Sequence, residues 1–223
     1  MKNSVYIKEI FKSVQGEGPY VGYNQLFIRF SKCNLNCSYC DTDFKSNLKE
    51  YTAIELANEV KKYTNIHSIS LTGGEPLMET PFLAEFLPLT QNKIYLETNG
   101  TLHKELEKII DYIDIISMDI KLNSCSKNGN LYDKHAKFIQ TALRYNKEIF
   151  VKTVFDENIT DTEINTIAEL LKGTNISLIL QPKTEDEIIK ISYKNILNIF
   201  NKFNSKYNNV RLIPQVHKFL NIR

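Results

Sequence analysis

Short β-rich apolar runs alternate along the chain with stretches of helical periodicity, the pattern of consecutive βα units feeding a parallel sheet. The runs that read as strands cover 25–30, 68–71, 93–97, 115–120, 149–154, 177–180 and 210–213. Helical periodicity fills the intervals near 52–63, 81–87, 104–112, 132–145, 161–172 and 186–206. Thr52 followed by Glu55 is a capping box at the start of the first of these. A complete eight-fold βα barrel takes about 250 residues. A 223-residue chain with this alternation therefore predicts an α/β fold of the incomplete TIM-type barrel kind, whose gap leaves a wide mouth. In such barrels the chemistry gathers at the C-terminal ends of the strands.

Composition narrows the class. At 42% hydrophobic and 24% charged residues the chain buries one sizeable core. It is read as a single domain over 1–223, with an N-terminal extension to about 24, the barrel over about 25–213 and a tail over 214–223. Lys+Arg 28 against Asp+Glu 26 leaves a net charge of +2, which makes no electrostatic case for nucleic acid or a membrane surface. No signal peptide and no apolar run of membrane-spanning length are read, so a soluble cytoplasmic protein is expected.

The candidate chemistry starts where the first predicted strand ends. Cys33-Asn-Leu-Asn-Cys37-Ser-Tyr-Cys40 places three thiols at spacings of four and three. Three thiolates can hold three irons of a [4Fe–4S] cube and leave the fourth iron open. A structural zinc site wants four ligands, usually as two separated pairs, and the remaining cysteine, Cys125, lies far along the chain without a partner pair. Disulfides suit neither the cysteine count nor the expected compartment. Cys125 is read as a free thiol in a loop, and His67, His103 and His135 stand without ligand spacing and receive no role.

Other distinctive residues recur at predicted strand ends. Thr72-Gly73-Gly74-Glu75-Pro76 closes the second strand; the glycine pair lets backbone approach a ligand, and Glu75 can accept from an ammonium group. Glu97-Thr98-Asn99-Gly100 closes the third strand, Ser117-Met-Asp119-Ile-Lys121 lies on the fourth, and Gln181-Pro182 follows the sixth. Each has an ordinary reading as a turn or a surface ion pair.

CxxxCxxC followed by GGEP resembles the radical S-adenosylmethionine (SAM) superfamily. The resemblance implies a [4Fe–4S] cluster on Cys33, Cys37 and Cys40, with SAM bound by Gly73, Gly74, Glu75, Glu97, Ser117, Asp119, Lys121 and Gln181. The stretch Gln15-Gly16-Glu17-Gly18-Pro19, then Phe27-Ile-Arg29-Phe, Cys40-Asp41-Thr42 and Pro214-Gln215-Val-His217, resembles more narrowly the 7-carboxy-7-deazaguanine synthase (QueE) family, and it covers both ends of the chain. That family converts 6-carboxy-5,6,7,8-tetrahydropterin to 7-carboxy-7-deazaguanine and ammonia, in queuosine and deazapurine biosynthesis. A 5′-deoxyadenosyl radical takes hydrogen from C6, the ring contracts, and SAM is re-formed.

The resemblance assigns substrate contacts to Gln15, Glu17, Arg29, Asp41, Thr72 and His217, to the terminal carboxylate of Arg223, and a Mg²⁺ ion to Thr42. On physical grounds Gln15 and Glu17 suit the N–H edge of a pterin and Arg29 suits its carboxylate. Turn composition accounts for Gln15, Glu17, Asp41 and Thr42 on the plainer reading, and a structural ion pair for Arg29. A flavodoxin- or ferredoxin-type electron donor and a homodimer are also implied. The run Ser117-Met-Asp119-Ile-Lys121 departs from the Ser-Pro-Lys-Pro of several family members toward the DxK strand of glycyl-radical activating enzymes. An activating enzyme is thus the runner-up, and a zinc-binding interaction module the third reading.

Overall fold

The computed structural model describes residues 3–40, 46–185 and 187–222. Its strands are β1 Ser4–Val14, β2 Asn24–Phe30, β3 Lys49–Thr52, β4 Ser68–Gly73, β5 Ile94–Thr98, β6 Ile115–Asp119, β7 Glu148–Phe155, β8 Ser177–Pro182, β9 Thr184–Glu185, β10 Ile188–Ile189 and β11 Val210–Leu212. The α-helices are α1 Ala53–Val60, α2 Thr80–Phe86, α3 His103–Ile109, α4 Asn123–Ser126, α5 Tyr132–Arg144, α6 Asp161–Leu171, α7 Tyr193–Asn204 and α8 Val216–Phe219. One sheet runs β11-β8-β7-β6-β5-β4-β2-β1-β3, and β9 and β10 form a separate ribbon. Neighbours from β2 to β11 are parallel, whereas β1 is antiparallel to both β2 and β3.

Alternation along the parallel strands sorts the side chains. Leu26, Ile28, Phe30, Ile69, Leu71, Leu96, Ile116, Met118 and Val151 share the main core with residues of the helices. Each fully buried side chain of this size stabilises the fold by roughly 1.5–3 kcal/mol. The opposite face has an apolar floor, where Tyr95, Ile115, Phe150 and Ile179 cluster with Tyr20 and Ile213 against them. Closer to the strands' C-terminal ends the positions of this face turn polar, with Thr72, Glu97, Asp119, Lys152 and Gln181. The open barrel thus gathers polar groups near its mouth above a packed floor, with Thr72, Lys152 and Gln181 buried and Glu97 and Asp119 half-buried.

The seven predicted strands are present with small changes at their ends, and Thr52 and Glu55 make the expected capping box. Three differences stand out, the first two with a physical cause. The 4–14 stretch is a strand whose alternation is broken by a register shift between Ile7 and Glu9, which hides its period. The helix expected over 186–206 begins only at Tyr193, because Glu185 and Ile188 pair in the β9–β10 ribbon and Ser192 caps the helix through Asn195 N. Cys125 lies not in a loop but on α4, 3% exposed. Among the described residues no helix is long and apolar enough to cross a membrane.

Candidate active site

The loop after β2 is held in shape by backbone contacts at its start and by side-chain hydrogen bonds further along. Gly74 N donates to Phe30 O at 3.0 Å and Glu75 N to Lys32 O at 2.6 Å. A Cβ on Gly74 would collide with the Lys32 carbonyl, and one on Gly73, whose φ is +104°, would meet Phe30 backbone. The glycine pair therefore admits the cysteine loop itself to close contact, where the sequence suggested a ligand. Ser38 N donates to Ser126 O at 3.1 Å, Ser38 Oγ to Cys125 O at 2.7 Å, and Asn34 and Asn99 pair at 2.8 Å. Cys33, Cys37 and Cys40, none of them in a disulfide, face one cavity of about 870 Å³.

This donor set fits an iron–sulfur cluster. Burial, reinforced by neighbouring thiols and acids, pushes the Cys33 and Cys37 thiols up, so a cationic centre is needed to hold them as thiolates. Asn128 Nδ2 donates to Cys37 Sγ at 3.1 Å and Leu35 N to Cys33 Sγ at 3.5 Å, the hydrogen bonds that tune cluster sulfur. Among the described residues no three His, Cys, Asp or Glu side chains gather around one point as a single metal ion requires. A cube, which gives each cysteine its own iron, does not require it. Because the reduced cluster carries one more negative charge, Asn128→Ala is expected to lower its reduction potential while leaving iron bound, checked by a redox titration followed by electron paramagnetic resonance.

The residues expected around SAM divide into two groups. Gly73, Gly74, Glu97, Asp119, Lys121 and Gln181 line the cavity. Gln181 is 1% exposed, and among the described residues neither polar atom of its side chain has a partner, an arrangement that fits a ligand reaching it. Lys121 lies 3.1 Å from Asp119 and over the Tyr39 ring, and this pair is half-buried at the cavity wall, not on a solvated edge. Glu75 and Ser117 do not line the cavity. Glu75 is fully buried behind the glycines and accepts from Leu77 N, Thr98 Oγ1 and Asn99 N, so it braces the loops instead of facing an ammonium group. Burial pushes its carboxyl up to about 7. Ser117 stands in register with Phe150, at the apolar floor below Asp119.

The residues expected around the pterin converge. Glu17, Arg29, Thr72 and His217 line both the main cavity and a side alcove of about 150 Å³ walled by Phe11 and Phe27, whose rings stack at 5.1 Å. Gln15 reaches only the alcove and is committed to the framework: its amide donates to Gln25 and to Glu97, and its Oε1 accepts from Glu17 N. Thr72 Oγ1 donates to Glu97 at 2.9 Å. Arg29 makes the ion pair that sequence allowed, with Glu9 at 2.7 Å, yet stays at the cavity wall. Asp41, Thr42 and Arg223 lie outside the described residues.

Residues 27–171 match the family model of the radical SAM superfamily. The 7-carboxy-7-deazaguanine synthase of Geobacter sulfurreducens is 36% identical, over 98% of each chain, and that of Methanothermobacter thermautotrophicus 33% identical, over 97% of each. The chain belongs to the radical SAM 7-carboxy-7-deazaguanine synthase family. The fold agrees: the crystal structure of QueE from Escherichia coli superimposes with a TM-score of 0.66 at 19% identity, covering 96% of this chain and 95% of that one. AdoMet-bound anSMEcpe superimposes at 0.56 and 17% identity, covering 81% and 62%. Membership in a radical SAM family brings a [4Fe–4S] cluster and SAM as cofactors, and the matches favour neither the activating enzyme nor the zinc module.

Three residues of the site received no role from the sequence. Lys152 ion-pairs with Glu17, Gln215 Nε2 donates to Glu17 Oε1 at 2.8 Å, and Asn99 ties the cysteine loop to β5. The signal for Lys152 was present, a lysine inside the apolar run Ile149–Phe155 where inward and outward positions are both buried. Gln215 and Asn99 lie in motifs that the sequence did single out, Pro214-Gln215-Val-His217 and Glu97-Thr98-Asn99-Gly100, but nothing marked them individually among their polar neighbours.

Proposed function

We propose that the protein converts 6-carboxy-5,6,7,8-tetrahydropterin to 7-carboxy-7-deazaguanine and ammonia. The observation that carries this reading is the alcove, where an anion (Glu17), a cation (Arg29) and two stacked phenyl rings meet beside the cysteine-lined cavity. A flat heterocycle with an N–H edge and a carboxylate needs those features. Glu17, held ionised, accepts from the N–H edge, and Arg29 faces the carboxylate. Phe11 and Phe27 exclude water from the ring, while His217, packed on Gly16, closes the far side. When bound, the cluster and SAM supply the carbon radical that removes hydrogen from C6.

We assign Mg²⁺ to the substrate carboxylate with Thr42 as its protein ligand, a hard ion suited to oxygen donors. Asp41 and the Arg223 carboxylate are assigned to the substrate, and a flavodoxin- or ferredoxin-type protein to electron delivery. The same reading makes the enzyme a homodimer.

The test is anaerobic turnover of iron-reconstituted protein with dithionite, SAM, Mg²⁺ and the carboxytetrahydropterin, read by mass spectrometry. The ring-contracted product is expected with SAM largely unspent, falling when Mg²⁺ is withheld. Arg29→Ala is expected to raise KM by about 10- to 100-fold, the worth of a charge-assisted hydrogen bond. Deoxyadenosine formed without product would overturn the substrate.

A further inference from the structure

We infer that Lys152 is a positioning residue of the pterin site, its ammonium holding Glu17 as an oriented carboxylate so that Glu17 meets the heterocycle purely as an acceptor. The inference rests on the substrate reading above. Lys152 sits inward on β7 with its side chain 3% exposed, hydrogen-bonded to Glu17 Oε2 and 4.0 Å from Asp119. A buried ammonium costs several kcal/mol of desolvation, and replacing both members of a buried ion pair by hydrophobic residues is often no less stable. A lysine here therefore implies a neighbour that has to remain charged.

Glu17 is fixed from three directions. Lys152 holds Oε2, Gln215 Nε2 donates to Oε1, and Gln15 Oε1 accepts from the Glu17 backbone N–H at 3.0 Å. Around the pair stand Arg29 from β2, Glu97 from β5, Asp119 from β6 and His217 from the tail, with the Tyr95 hydroxyl nearby on β5. Burial alone pushes the Glu17 carboxyl up; the Lys152 charge, hydrogen bonds from Lys152 and Gln215, and His217 outweigh it and hold the group down to about 2. Without Lys152 only Gln215 and His217 remain to oppose burial and the neighbouring anions, so the carboxyl rises and Glu17 takes up a proton more readily. A protonated carboxyl then presents an O–H toward N–H donors.

The experiment compares wild type, Lys152→Met and Glu17→Gln/Lys152→Met, binding the fluorescent analogue 6-carboxypterin without cofactor turnover, and follows thermal unfolding. Lys152→Met is expected to weaken binding about tenfold at neutral pH, the loss of one charge-assisted contact. In wild type the depressed Glu17 group contributes stability above its unfolded value, lost only as pH falls toward about 2. In Lys152→Met the group is raised instead, so its contribution is present at low pH and lost as pH rises. That variant should regain stability on acidification, and the double variant should recover it at neutral pH. Lys152→Met that binds like wild type, with a double variant no more stable, would overturn the inference. If wild type ignores 6-carboxypterin while the double variant still recovers stability, the coupling of Lys152 to Glu17 stands and the substrate reading falls.

Discussion

Replacing Gly74 with alanine is expected to abolish iron retention. The added Cβ has no room, because the Lys32 carbonyl carbon and oxygen occupy its place and neither is the end of a flexible side chain. Relief requires the Lys32–Cys33 backbone to move, which breaks the Glu75 N to Lys32 O hydrogen bond and carries Cys33 away from the shared cavity. The stability cost should reach about 3 kcal/mol or more, the range of severe steric substitutions. The loss of cluster should be complete, since two remaining thiolates hold a cube poorly. Gly173→Ala is the control: φ there is +76° with nothing within 4 Å, so the cost should be near 1–2 kcal/mol of backbone strain with iron unchanged. Iron content after reconstitution and thermal unfolding check both. Retention of a full cluster by Gly74→Ala would remove the argument that the glycine pair exists to seat the cysteine loop.

That expectation could not have been drawn from the sequence, and the reason applies beyond Gly74. Period and spacing are local, so the βα alternation, the capping box at Thr52 and the cysteine triplet were all legible from residues within one turn or loop of each other. Whatever depends on two distant segments meeting was not. The approach of Lys32 to Gly74 is such a meeting, as is the strap in which Val216 N donates to Gly16 O and Gln215 reaches Glu17.

Side-chain direction was the second limit. Glu75 lies in the GGEP motif of the superfamily and Ser117 on the strand that carries Asp119, where a ligand contact is the natural expectation. Glu75 instead turns into the interval between β4 and β5, and Ser117 drops to the level of the aromatic floor because Asp119, two residues on, already occupies the rim. A motif fixes which loop carries the chemistry; the depth of each residue along its strand decides whether it reaches the ligand.

The four cysteines should separate sharply in function. Alanine at Cys33, Cys37 or Cys40 removes one of three thiols facing a single cavity, with no spare thiol to substitute, and turnover should fall by more than about 10³-fold because the radical chemistry belongs to the cluster. Cys125 is also close to the loop, since its carbonyl accepts from Ser38, but its thiol meets Asp156 and does not line the cavity. Burial and Asp156 push that thiol up to about 12, so it is a neutral, packed group at any working pH. Cys125→Ala keeps the carbonyl, and should lower stability by about 1–2 kcal/mol through the small cavity it leaves while iron content and turnover stay within about twofold of wild type. Measuring iron and product together across the four variants makes the contrast decisive. Loss of iron from Cys125→Ala would place its thiol in the cluster's support, and turnover surviving in any of the other three would mean that the open-iron site is not assembled from these cysteines.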